Sequence, residues 1–164
     1  MPFPAVDVQP GPKCLAAALL LAGFSDTAVY LPSVKDKCGV TWTKPTVLQI
    51  ALAVVGGEST GHAWAYHDNL DIKGNVLSTD YGLFQVNSTA HATEMFAGVS
   101  SGLQPNWANY YDNAVLAYEI FGTGTFNAET GKQETNSFKP WNAYNNGGYL
   151  NERFGARKTP SARS

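Results

Sequence analysis

The sequence predicts a mainly α fold, a single helical domain with a small β-hairpin element. Apolar residues recur at three- and four-residue spacing in segments around residues 13–22, 45–59 and 109–121, and glycines stand at or near the end of each. Between the second and third segments, residues 60–80 are polar and turn-rich, as a two- or three-stranded sheet requires. The length of 164 residues favours one domain, assigned to residues 1–154, with a flexible basic tail at 155–164.

Residues 1–11 read as extended and Pro-rich. Pro12 suits a first helical position, Lys13 to Ala22 continue the helix, and Gly23 stops it. Asp26 is placed to cap a short helix through Tyr30 that Pro32 ends, and residues 32–43 read as loop. The central helix is expected from Pro45, with Val47, Ile50, Ala51, Val54 and Glu58 on one face. Gly56-Gly57 near its end is either an ordinary terminus or a place where another element approaches closely. Lys73-Gly74-Asn75 is the hairpin candidate. A helix is expected within Val86–Phe96 and another from Asn109 or Asp112 through Phe121, ended by Gly122 to Gly124. One or two short helices follow within Ser137–Phe154, broken at Asn146-Gly147-Gly148.

Composition narrows the function classes. With 44% hydrophobic and 15% charged residues the chain is globular, not disordered. A net charge of −2 argues against nucleic acid, whose phosphates need a basic face. Cys14 and Cys38 allow one disulfide or two thiols, and their isolation fits no zinc signature. No stretch has the length of a membrane span, and Leu15–Ala22 lacks the flanks of a signal peptide.

Three stretches carry the chemistry. The apolar run Ile50 to Val55 leads to Glu58-Ser59. An acid after so much apolar surface, near the negative end of a helix, is disfavoured in its charged form. A carboxylic acid kept protonated near neutral pH can serve as a general acid; a solvated Glu at a helix end is the ordinary alternative. The second stretch, Asp80-Tyr81-Gly82-Leu83-Phe84-Gln85-Val86-Asn87, offers the Gln85 amide as donor and acceptor. The third, Trp141 to Gly147, offers Tyr144 as a ring and a hydroxyl, and Asn145 as a second neutral two-way group. Uncharged polar groups around one acid suit a saccharide better than a phosphate or a metal.

Taken together, Glu58-Ser59, Gly82-Leu83-Phe84-Gln85-Val86 and Ala143-Tyr144-Asn145 resemble, in order and spacing, the three signature motifs of the lytic transglycosylase and goose-type lysozyme superfamily. The resemblance covers residues 45–150 and is nearest to the lysozyme-like domains of bacteriophage tails and lysins. Asp112 to Tyr118 and Phe138-Lys139-Pro140-Trp141 resemble the later part of those domains. It implies an α+β lysozyme-like fold whose hairpin lines a cleft. Glu58 matches the catalytic acid, Ser59 a residue that orients the site, and Gln85 an amide that contacts substrate. Tyr144 matches a tyrosine hydrogen-bonded to the acid, with Asn145 in the same motif. The implied substrate is peptidoglycan, cut between N-acetylmuramic acid and N-acetylglucosamine, with no metal or organic cofactor. The implied setting is the bacterial cell wall, reached by a virion-associated or released phage protein without a signal peptide. Other virion tail proteins are candidate partners of an otherwise monomeric domain, and a bacterial remodelling enzyme stays open.

One departure bears on mechanism. Goose-type hydrolases carry an acid just after the Gln motif, where this chain has Asn87. Asp80 is the nearest candidate second acid, or else a brace for the Gly82 turn. Without a second acid, Glu58 can act twice and release a 1,6-anhydro sugar by transglycosylation. His62, His67, Asp68 and Asp71 lie close in sequence as a cleft rim or, in an unusual spacing, a metal site. Trp64, Tyr66 and Tyr81 are candidates to stack on pyranose faces or simply to pack, and Tyr81 is counted among the substrate-binding residues. Against the enzyme stands a second class, a wall-binding or virion structural module that keeps the fold without the activity.

Overall fold

The computed structural model describes residues 11–97 and 106–151. The expectations for residues 1–10 and for the tail at 155–164 lie outside the described residues.

Helix α1, Pro12–Ala22, starts on its proline and ends at Gly23, whose N–H returns to the Leu19 and Leu20 carbonyls. Helix α2, Val47–Ser59, begins two residues later than Pro45. Thr46 and Gln49 form a reciprocal capping box there, and this pair of hydrogen bonds, not the proline, sets the start. The α2 helix is the axis of the core: Ile50, Ala51, Val54 and Val55 are fully buried. Helix α4, Tyr110–Thr123, is capped by the Asn109 side chain and presents Ala114, Leu116 and Ala117 to the same core. Short helices α3, Ala92–Ala97, and α5, Asn142–Asn145, and a 3₁₀ turn, Gly148–Leu150, complete the helical set among the described residues.

The rest is strand. Strands β1, Val34–Lys35, and β2, Thr41–Trp42, form one antiparallel pair. Strands β3, Tyr66–Leu70, β4, Val76–Tyr81, and β5, Val86–Asn87, form a three-stranded antiparallel sheet in that order. Strands β6, Thr125–Asn127, and β7, Lys132–Glu134, form a third sheet. The expectation of a mainly α fold is therefore corrected. The described residues are 37% helix and 19% strand in three small antiparallel sheets, an α+β fold.

Local chemistry explains what the periodicity misjudged. No helix forms at Asp26–Tyr30; the Ser25 hydroxyl accepts from the Thr27 and Ala28 N–H groups, and Val29 bridges to Thr46. The loop expected at 32–43 is a hairpin wound on the buried Asp36. One carboxylate oxygen of Asp36 accepts from the Cys38 and Val40 N–H groups, and the other from Trp42 Nε1. Val86–Asn87 is strand, so the helix expected within Val86–Phe96 is shortened to α3. Cys14 and Cys38 are exposed thiols with no disulfide between them.

Candidate active site

The three stretches meet, and one hydrogen bond joins each pair. Ser59 Oγ, buried at the end of α2, donates to the Leu83 carbonyl at 2.7 Å, tying the first stretch to the second. Trp141 Nε1 donates to the Phe84 carbonyl at 2.9 Å, tying the third to the second. The Ala143 N–H donates to Glu58 Oε1 at 3.0 Å, tying the third to the first. Gly57 makes the last contact possible. A Cβ there would lie 2.8 Å from Ala143 Cβ, so the absent side chain lets α5 close on α2.

The second stretch is a tight turn with Gly82 at φ +77° and Gln85 at φ +47°. Left-handed backbone at a non-glycine residue is unfavourable and persists only where its surroundings hold it. Asn113, fully buried on α4, supplies that hold. Its Oδ1 accepts from the Phe84 N–H at 2.8 Å, and its Nδ2 donates to the Tyr81 and Trp107 carbonyls at 3.2 and 3.1 Å. Any Cβ at Gly82 would collide with Asn113 Nδ2 and the Trp107 carbonyl. Gln85 Nε2 donates to the Ala65 and Gly82 carbonyls, both at 3.0 Å. Its donors are thus committed to two backbone carbonyls, one in the turn and one in the preceding loop, and Oε1 is the end left for a ligand.

Glu58 and Asp80 line one cleft of about 310 Å³, together with Gln85, Asn87, His91 and Trp141. Alternation along the strands puts Ser78 and Asp80 of β4 on the cleft face, opposite Asn69 of β3 and Asn87 of β5. The two amides fix Asp80. Asn69 Nδ2 donates to one carboxylate oxygen at 3.1 Å, and Asn87 Nδ2 to the other at 2.8 Å; both also reach Ser78 Oγ at 3.1 Å. Asp80 is therefore a carboxylate fixed at the cleft, and the Gly82 turn is braced by Asn113 instead.

Electrostatics singles out Glu58. Burial raises the Glu58 carboxyl above its ordinary value near 4.5; the Ala143 N–H opposes this, and the negative charge of Asp80 adds to the rise. The rise favours the protonated form of Glu58 in a cleft that Asp80 also lines.

The remaining expected site residues lie elsewhere. Tyr144 does not hydrogen-bond Glu58 among the described residues; its ring packs against Tyr149 at 4.9 Å, Tyr30 at 5.9 Å and Phe138 at 6.2 Å. Burial first, then the neighbouring phenols of Tyr30 and Tyr149, push its hydroxyl up, so it stays protonated. The third motif thus reaches the acid through the Ala143 N–H. Asn145 is exposed and donates to the Lys139 carbonyl, while Asn142 lines the cleft. Tyr81 faces a different cavity on the other side of the sheet. Among the described residues, no three His, Cys, Asp or Glu side chains could hold a metal, and His62, His67, Asp68 and Asp71 do not converge.

Sequence reasoning missed Asn113, Asn69 and Ser78. Only Asn113 left a signal, an amide on the apolar face of α4 between Tyr110 and Ala117. No family model, curated protein or solved structure matches the chain. No helix among the described residues is long and apolar enough to cross a membrane.

Proposed function

We propose that this chain is a muralytic glycoside hydrolase that cleaves the β-1,4 bond between N-acetylmuramic acid and N-acetylglucosamine of bacterial wall glycan. The observation that supports this most is the pairing of a Glu58 carboxyl raised by burial with the amide-clamped Asp80 across one cleft. Glu58 gives its proton to the bridging oxygen, and the glycosidic bond breaks toward the leaving sugar. Asp80 accepts a proton from water as the water oxygen bonds to the anomeric carbon. Gln85 Oε1 accepts from an acetamido N–H, and Trp141 supplies an apolar wall to the cleft. Asn87 stands where the resembled hydrolases carry their second acid, and it donates to Asp80. On this reading the second acid comes from Asp80, the cross-strand partner of Asn87.

A second reading, a wall-binding or virion structural module without activity, draws on Tyr144 standing away from Glu58. Digestion of purified sacculi followed by mass spectrometry of the released muropeptides tests the proposal. Free reducing ends are the expected products. Products lighter by one water mean that Glu58 acts twice, by transglycosylation, and remove Asp80 from the mechanism. No release from a folded chain supports the module.

A further inference from the structure

The three-stranded sheet uses both of its faces. One carries Asn69, Ser78, Asp80 and Asn87 into the cleft. By the same alternation, Tyr66 and Asp68 of β3 and Thr79 and Tyr81 of β4 lie on the other. There they line a cavity of about 420 Å³ that Trp64 and Trp107 complete. Among the described residues its lining holds four aromatic side chains and no Lys or Arg. Trp107 is the hinge of the wall: Tyr81 packs on it at 4.7 Å and 44°, and Trp64 at 5.5 Å and 65°. Tyr66 is 64% exposed, so its ring is open to a ligand at the mouth of this cavity.

We propose that this face is a second saccharide-binding site, distinct from the Glu58 cleft, that takes neutral pyranose units of the N-acetylglucosamine type. Four features carry the assignment. Indole and phenol faces match the apolar C–H face of a pyranose ring. Asp68 accepts from Thr79 Oγ1 at 2.8 Å through one oxygen, which fixes the carboxylate at the rim and leaves its other oxygen for a sugar hydroxyl. That negative charge, with no cation in the lining among the described residues, disfavours phosphates and acidic sugars. The cavity is also larger than a compact ammonium head group needs, which favours a sugar over cation capture by the same rings. The choice of sugar rests on the wall-glycan reading of the cleft. A strand held on this face keeps the cleft beside polymeric substrate while another strand is cut.

The test uses the full chain carrying Glu58→Gln, so that the probe stays intact, and a tetramer of N-acetylglucosamine. Indole N–H resonances of Trp64 and Trp107 are followed by NMR during titration. They are expected to shift and saturate, with affinity at least fivefold weaker in Tyr66→Ala and retained in Tyr66→Phe. On insoluble sacculi, Tyr66→Ala in the chain with Glu58 restored is expected to raise KM several-fold with kcat unchanged. Unmoved indole resonances, equal affinity in Tyr66→Ala, or an unchanged KM overturn the proposal. So does saturation by tetramethylammonium chloride at lower concentration than by the tetramer. Cleavage of sacculi with unmoved indoles removes this site alone; saturable indole shifts in a chain that cleaves nothing remove the hydrolase reading alone.

Discussion

Asn113→Ala is expected to be among the most damaging single changes to this fold, although residue 113 touches no substrate. The side chain is fully buried and makes three hydrogen bonds to the backbone of the Gly82 turn and of Trp107. Each such bond contributes about 1 kcal/mol net, and orphaning the buried Phe84 N–H costs roughly 1–3 kcal/mol more. The sum is about 4–6 kcal/mol, against a total stability of about 5–15 kcal/mol for a typical domain. At roughly 2–4 °C per kcal/mol, the melting midpoint falls by about 8–24 °C. Urea denaturation and thermal melts against the parent chain measure this. Asn113→Asp should fail as well, because a carboxylate oxygen then meets the Tyr81 and Trp107 carbonyls. A loss below about 1 kcal/mol for Asn113→Ala would refute the claim that α4 holds the turn carrying Gln85.

Further expectations concern the two acids and the contact between α2 and α5. The folded state holds the Glu58 proton to higher pH than the unfolded chain, so the stability linked to it is full below about pH 4.5 and is lost as pH rises through the folded value. Glu58→Gln removes that cost; melts from pH 3 to 8 should show the variant more stable than the parent at neutral pH and equal to it in acid. Asp80→Asn should slow release of reducing ends by about 10²–10⁴-fold in a sacculus assay, the range for a lost general base. Gly57→Val should cost about 1–3 kcal/mol by overpacking against Ala143 and the Gly148 backbone, measured by urea denaturation.

What could be read from the sequence was whatever depended on one segment at a time. The periodicity of α2, its glycines and its terminal acid were visible because they are local, and so was the hairpin turn that Gly74 closes at φ +86°. The two-residue strands at 34–42 and the short pair at 125–134 were not, because runs so brief carry no alternation. The hairpin at 34–42 depends on one buried carboxylate, Asp36, whose neighbours say nothing of its burial. In the site, Glu58, Ser59, Gln85 and Asp80 could be selected as chemistry, but their partners are set by pairing across strands. Asn69 and Asn87 meet Asp80 only through the register of β3–β4–β5, and a shift between Asn69 and Leu70 interrupts that register. The motif points to Tyr144, yet the packing of Tyr30, Phe138 and Tyr149 decides where its ring goes.

The most direct test is the rate at which soluble saccharide leaves purified sacculi under the parent chain and under Glu58→Gln, both verified as folded by melting. If the proton at residue 58 breaks the bond, the substitution lowers the rate by about 10²–10⁴-fold while wall binding persists. Release by Glu58→Gln within tenfold of the parent would contradict the account.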